Sequence, residues 1–252
     1  MSNKKKSRQE REQTARTRGS QLMQEQRAKE KRRNAMIQGG LLVTVVAVVV
    51  LLVVVVLQYR DRQNEPATAP ARVSDEGGFV VGAEDASVTV SVVEDLQCPA
   101  CQAFETTSGA TLAELAQADD TAVEYRVVAF LDRASTDDYS SRSANASACV
   151  WDQGDAEVWR DFHDSLYVQQ PAEGGAGLTD EQLVQLAVDA GADEEAVEPC
   201  VQDGDFRGWV EQNTQAVSET GVDSTPTVFV NGGETDARTP EELQAAVEAA
   251  RA

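Results

Sequence analysis

The chain has 252 residues, with 22 Lys/Arg against 43 Asp/Glu and a formal net charge of −21. Residues 1–37 hold twelve Lys/Arg and four Asp/Glu, so the remaining residues carry a net −29. Such an acidic body excludes nucleic acid as a partner, because binding there depends on cations that replace released counterions. Four Cys are also too few for a disulfide scaffold of this size.

Residues 1–37 show no apolar period and read as a basic cytoplasmic tail. Leu41 to Leu57 is polar only at Thr44, and with Gly39 and Gly40 it predicts a transmembrane helix over 38–58. Its β-branched Val residues disfavour a helix in water, but in lipid the backbone must bond internally. Lys31, Arg32 and Arg33 precede the run, which places the N-terminus inside and the rest outside the cytoplasmic membrane. A cleaved leader would have a shorter apolar region. The small-residue triplet Ala67-Thr68-Ala69 lies well beyond Leu57 and is followed by Pro70, so an uncleaved single-pass anchor is expected. Residues 59–77, with Pro66 and Pro70, read as a linker, and a flexible chain of ~20 residues spans about 25 Å.

The exported domain is expected over 78–252. Val88 to Val93 is a short β-rich run that predicts a buried strand. It leads through Glu94-Asp95-Leu96-Gln97 to Cys98-Pro99-Ala100-Cys101. A helix is predicted from Pro99 to about Gln117, with Gly109 as a kink point, and a second strand from Val123 to Leu131. A strand, a helix and a buried strand in this order suggest a βαβ unit. A helical stretch follows over about 136–221. Val158, Trp159, Phe162 and Leu166 form one stripe, and Leu183, Leu186, Ala187 and Ala190 form another, started by the capping-box pair Thr179 and Gln182. Phe206, Trp209, Val210 and Val217 suggest one more helix. Pro226 to Val230 predicts a strand and Asn231-Gly232-Gly233 a turn. Thr239 caps a last helix with Pro240 at its first position and Leu243, Ala246, Val247 and Ala250 facing inward.

Two Cys separated by two residues at a helix start can close a small disulfide ring. The first sulfur faces the free N–H groups and the positive end of the helix dipole, which favour thiolate over thiol. The second lies one turn inward and resolves a mixed disulfide. Pro99 suits the first turn, where an N–H is dispensable. Zinc would need two more close ligands, but Cys149 and Cys200 stand far along the chain. Covalent haem needs His after the second Cys, where Gln102 stands. A ring this small constrains little of the unfolded chain, which weakens a purely structural role.

Glu-Asp-Leu-Gln-Cys-Pro-Ala-Cys, with Ser224-Thr225-Pro226-Thr227-Val228-Phe229-Val230 over a hundred residues later, resembles the DsbA-like thioredoxin-fold disulfide oxidoreductases. More narrowly, it is similar to their membrane-anchored actinobacterial members. The resemblance implies an α/β thioredoxin-like fold with an inserted helical subdomain. It also implies a cis Thr225–Pro226 bond in a loop that packs on the CxxC and lends the Thr225 backbone to a substrate strand. Cys98 and Cys101 would be the redox pair, with no bound cofactor or metal.

Two positions depart from that family. Members often carry a buried acid six residues before the first Cys, and Val92 stands there. Glu94 and Asp95 come later, near the site, and are expected to be mostly solvated, with a proton-shuttle role the lesser reading. Strongly oxidising members have His where Ala100 stands, and Ala cannot donate to the Cys98 thiolate. A less depressed Cys98 pKa and a less oxidising disulfide follow. Cys149 and Cys200 fall in the helical stretch, and a leftover pair in an oxidising space usually bonds. A structural disulfide is expected, with a second redox pair as the alternative. His163, the only His, reads as a half-buried helix residue and not a catalyst.

The expected activity is formation of disulfides in unfolded exported proteins, with reoxidation by a quinone-linked membrane partner that the family implies. The rivals are an extracytoplasmic reductase or isomerase and a non-catalytic thioredoxin-fold binding module.

Overall fold

Five strands make one mixed sheet in the computed structural model, which describes Val53 and residues 67–251. The predicted tail at 1–37 and, Val53 apart, the predicted membrane segment at 38–58 lie outside the described residues. Among the described residues no helix is long and apolar enough to cross a membrane.

The strands are β1 (Phe79–Gly82), β2 (Val88–Glu94), β3 (Thr121–Val127), β4 (Thr227–Val230) and β5 (Gly233–Thr235), in the spatial order β1-β3-β2-β4-β5. β2 and β3 run parallel, joined by the crossover helix α1 (Pro99–Leu115). The other neighbours are antiparallel. The two-residue period of the strands sorts the sheet's faces. Val90, Val92, Val123, Tyr125 and Val228 share one buried face with Leu112 of α1 and with Leu243 and Val247 of the last helix, α7 (Pro240–Ala250). α7 starts as expected, with a Thr239–Glu242 capping box and Pro240 in its first turn.

Between β3 and β4 stand α2 (Tyr139–Asp152), α3 (Ala156–Val168), α4 (Asp180–Ala190), α5 (Glu194–Asp203) and α6 (Arg207–Glu219). Each start is local chemistry where a cap exists: Asp155 accepts from Glu157 and Val158, Thr179 pairs with Gln182, and Asp193 accepts from Glu195. Cys149 of α2 and Cys200 of α5 form a disulfide across 51 residues of chain. An aromatic seam joins this helical layer to the sheet. Phe79 of β1 lies 5.1 Å from Trp151, 5.3 Å from Trp159 and 5.7 Å from Trp209 by ring centroids.

The sheet's other face carries Ser91, Glu124, Arg126 and Phe229. A cleft of about 690 Å³ opens there, with these four in its lining and neither Cys98 nor Cys101. Glu124 is satisfied in it by hydroxyls of Ser74 and Ser91.

Three sequence readings need correction, and two strands are additional to those predicted. The apolar run to Leu131 leaves the sheet after Val127, because a last N–H bond from Val128 reaches the end of β2 and the later N–H groups bond outside the sheet. Val128 donates to the Glu94 carbonyl at 2.8 Å, Ala129 to Thr214 Oγ1 at 3.0 Å and Leu131 to Asp95 Oδ2 at 2.9 Å. The short strands β1 and β5 carried too few residues to stand out. α1 runs unbroken through Gly109. Part of the expected linker packs on the domain: Ala71 N donates to Asp152 Oδ1 at 2.6 Å, and Trp151 Nε1 donates to the Ala71 carbonyl at 2.9 Å.

Candidate active site

β2 ends at Glu94, and a tight turn places Cys98 as the N-cap of α1 with Pro99 just inside. Cys98 N donates back to the Asp95 carbonyl at 2.9 Å. Cys98 and Cys101 are free thiols; Cys98 is 9% exposed and Cys101 is fully buried. The β4 entrance brings the third part. The Thr225–Pro226 bond is cis, and the Thr225 carbonyl lies 3.5 Å from Cys98 Sγ. The structure thus gathers Cys98, Pro99, Ala100, Cys101, Thr225 and Pro226, and leaves Cys149 and Cys200 apart in their own disulfide.

The two thiols are electrostatically unequal. A hydrogen bond from the Cys101 thiol lowers the Cys98 pKa, against the pull of burial, to about 5. The Thr225 side chain and the backbone N–H groups of Cys101 and Ala100 add to it. Burial drives the Cys101 thiol the other way, well above the ordinary range, and the charges of Cys98 and Glu94 push it further. One sulfur is thus an exposed-side thiolate and the other a shielded thiol, the division needed for exchange through a mixed disulfide.

Glu94 and Asp95 are not solvated; both are completely buried. Glu94 shares the helix-covered face of β2 and so points beneath α1 toward α3. There His163 Nε2 lies 2.6 Å from its Oε1, and the Tyr167 hydroxyl donates to its Oε2 at 3.1 Å. Asp95 organises the loop. Its Oδ1 accepts from Gln97 N at 2.9 Å and Ser140 Oγ at 2.7 Å, and its Oδ2 takes the Leu131 N–H. Burial raises its pKa to about 6 in spite of these bonds. His163 is also not half-buried: it is 1% exposed, between Trp159, Tyr125 and Tyr167.

A strap from the helical layer, absent from the sequence reading, holds the turn in place. Gln170 Nε2 donates to the carbonyls of Leu96 and Cys98, at 3.0 Å each, and Gln102 Nε2 donates to the Tyr167 carbonyl at 2.6 Å. Arg142 fixes the strap's far end through the Ala176 and Leu178 carbonyls, both at 2.7 Å. Glutamines carry no periodic or motif signal, so only the fold reveals them. Among the described residues, Glu105, His163 and Asp164 bring three ligand-type atoms within 4.8 Å of one another, but His163 Nε2 is committed to Glu94.

A family model described as Thioredoxin matches residues 74–249. The chain belongs to the DsbA-like branch of that thioredoxin-fold family. Among solved structures, the reduced form of the disulfide bond oxidoreductase DsbG from Mycobacterium tuberculosis is 33% identical. It superposes with a TM-score of 0.63 over 71% of this chain and 89% of that one. Oxidised DsbA of the same organism is 34% identical, with a TM-score of 0.61 over 68% and 91%. A 168-residue stretch is 32% identical to the serine/threonine-protein kinase PknE of Mycobacterium tuberculosis, covering 64% of this chain. The chain spans only 29% of that relative's length.

Proposed function

We propose that this chain is a thiol–disulfide oxidoreductase that forms disulfide bonds in exported proteins, with Cys98 and Cys101 as its redox pair. The single observation that carries the reading is the depressed Cys98 thiol at the start of α1, within 3.5 Å of the Thr225 carbonyl on the cis-proline loop. In the disulfide form, a substrate thiolate attacks Cys98 Sγ. A substrate–Cys98 bond forms, the Cys98–Cys101 bond breaks and Cys101 leaves as the thiolate. A second substrate thiolate then attacks the substrate sulfur of the mixed disulfide, and Cys98 leaves. Two electrons have passed from substrate to the cysteine pair, as in the oxidoreductases it resembles.

Stabilising the Cys98 thiolate stabilises the reduced form and makes the disulfide a better oxidant. A Cys98 pKa near 5 falls between about 7 for thioredoxin and about 3.5 for DsbA. This supports an oxidant of intermediate strength, in keeping with Ala100 in place of a donor. The basic tail and the apolar run at 38–58 support a membrane anchor with the domain outside, and such a placement calls for a quinone-linked membrane partner to reoxidise the pair.

The test is the reduction potential of Cys98–Cys101 in glutathione buffers, read by thiol alkylation. A value above about −200 mV is expected. A value near or below about −270 mV would overturn the oxidase in favour of a reductase.

A further inference from the structure

His163 is the one imidazole in the chain, and three rings hold it. Trp159 stacks on it at 5.0 Å with 28° between planes, Tyr125 lies at 5.0 Å and Tyr167 at 5.1 Å. Its two nitrogens face opposite ways. Nε2 meets the buried Glu94 carboxylate at 2.6 Å, and Nδ1 meets Asp164 Oδ1 at 3.6 Å, on a side chain that is 60% exposed. Glu94, at the end of β2, and Cys101, in the first turn of α1, are both buried, and the Glu94 charge raises the Cys101 pKa. Cys101 is fully buried, so the proton it must lose or gain has no direct way to water.

We propose that His163 is a positioning residue of the redox centre, passing protons between Glu94 behind Cys101 and the surface carboxylate of Asp164. The helical layer thereby supplies half of a proton path whose other half is a strand-end glutamate, while Val92 fills the position where the family's buried acid usually stands. The proposal rests on the reading of Cys98 and Cys101 as the redox pair.

The step balances. When Cys101 resolves a Cys98 mixed disulfide, its S–H proton goes to the Glu94 carboxylate. The Cys101 sulfur bonds to Cys98 Sγ, the mixed disulfide breaks, and the departing thiol leaves as thiolate. The imidazolium gives its Nδ1 proton to Asp164, which releases it to water, while the Cys101 proton stays on Glu94 beside the Nε2–H of the now neutral ring, so one proton leaves for the one that Cys101 loses. In the opposite direction the same groups return a proton to the leaving Cys101. The charged and titratable groups facing the imidazole are Glu94 from β2, Glu105 from α1, Tyr125 from β3, and Asp164 and Tyr167 from α3, with Arg160 of α3 acting on Glu105 and Tyr125. Burial opposes a cation here, but the Glu94 charge and the hydrogen bonds to Asp164 and Glu94 outweigh it and hold the His163 pKa above the ordinary imidazole value, which favours the charged ring.

The test mixes the reduced full-length chain with oxidised glutathione and follows two phases over a range of pH. The first is Cys98 attack, the second Cys101 release of glutathione. In H163Q the second phase is expected to slow about tenfold or more, the scale of lost general acid–base help, with a changed pH profile. The first phase and the ultraviolet thiolate titration of Cys98 are expected to stay within about twofold of wild type. E94Q should give the same loss, and E94Q/H163Q no more than either alone, because both act on one path. Asp164→Asn, at an exposed position that leaves the core intact, should change the second-phase pH profile if H163Q fails to fold. Equal slowing of both phases, or second-phase profiles in all variants that overlay the wild type, would overturn the proposal. A wild-type chain with no second phase would instead overturn the redox-pair reading itself.

Discussion

The Thr225 carbonyl oxygen lies 3.5 Å from Cys98 Sγ, although 127 residues separate the two. The approach joins the first turn of α1 to the loop before β4, and it puts the Thr225 side chain where it also lowers the Cys98 pKa.

Because Cys98 titrates near 5 in the folded chain and in the ordinary thiol range when unfolded, its thiolate stabilises the reduced fold. That contribution is fully present above the ordinary thiol range and is lost as pH falls toward 5. The disulfide form has no such group. The stability of the reduced form relative to the oxidised one should therefore drop by about 1.4 kcal/mol per pH unit across this window. Denaturant unfolding of both forms at several pH values measures it, and parallel curves would refute it. Thr225→Val should raise the Cys98 midpoint by about one unit, the scale of one hydrogen bond to a charged group.

Gln170→Ala removes two donors at once and leaves the Leu96 and Cys98 carbonyls to find water. A stability loss of about 1–3 kcal/mol is expected, with faster amide exchange in the turn before α1. Gln170→Glu should not restore it, since a carboxylate offers no donor in place of the amide. Unchanged exchange at Gln97 and Cys98 would show that the strap is idle.

Removing Cys149 and Cys200 together, each as Ala, should destabilise the fold by about 4 kcal/mol in the chain-entropy view of a loop of 51 residues. The Cys98 titration should not move. If the titration shifts while stability holds, the second pair has a redox part after all.

Much of the fold announces itself through neighbours in sequence. The Val-rich β2, the Cys98-Pro99 helix start and the capping boxes at Thr179 and Thr239 are short-range signals, and each is where its pattern implied. β1 is legible only from its setting: four residues on a sheet edge become a strand because Phe79 inserts among three Trp rings. The site divides in the same way. The CxxC and the Thr225–Pro226 loop are motifs, whereas Glu94 and His163 meet across 69 residues with no pattern linking them. A charged residue at a strand end reads as solvated until a helix from elsewhere covers it, and no local property of Glu94 reveals that cover.

The bond between Cys149 and Cys200 has a consequence for supply. A chain that carries this bridge is itself a product of the reaction proposed for it. The first copies to emerge must take their oxidising equivalents from some other source, and later copies can take them from finished ones. Output would then rise with the stock already made, so cells recovering from a reducing shock should regain the folded protein with a lag rather than at a steady rate.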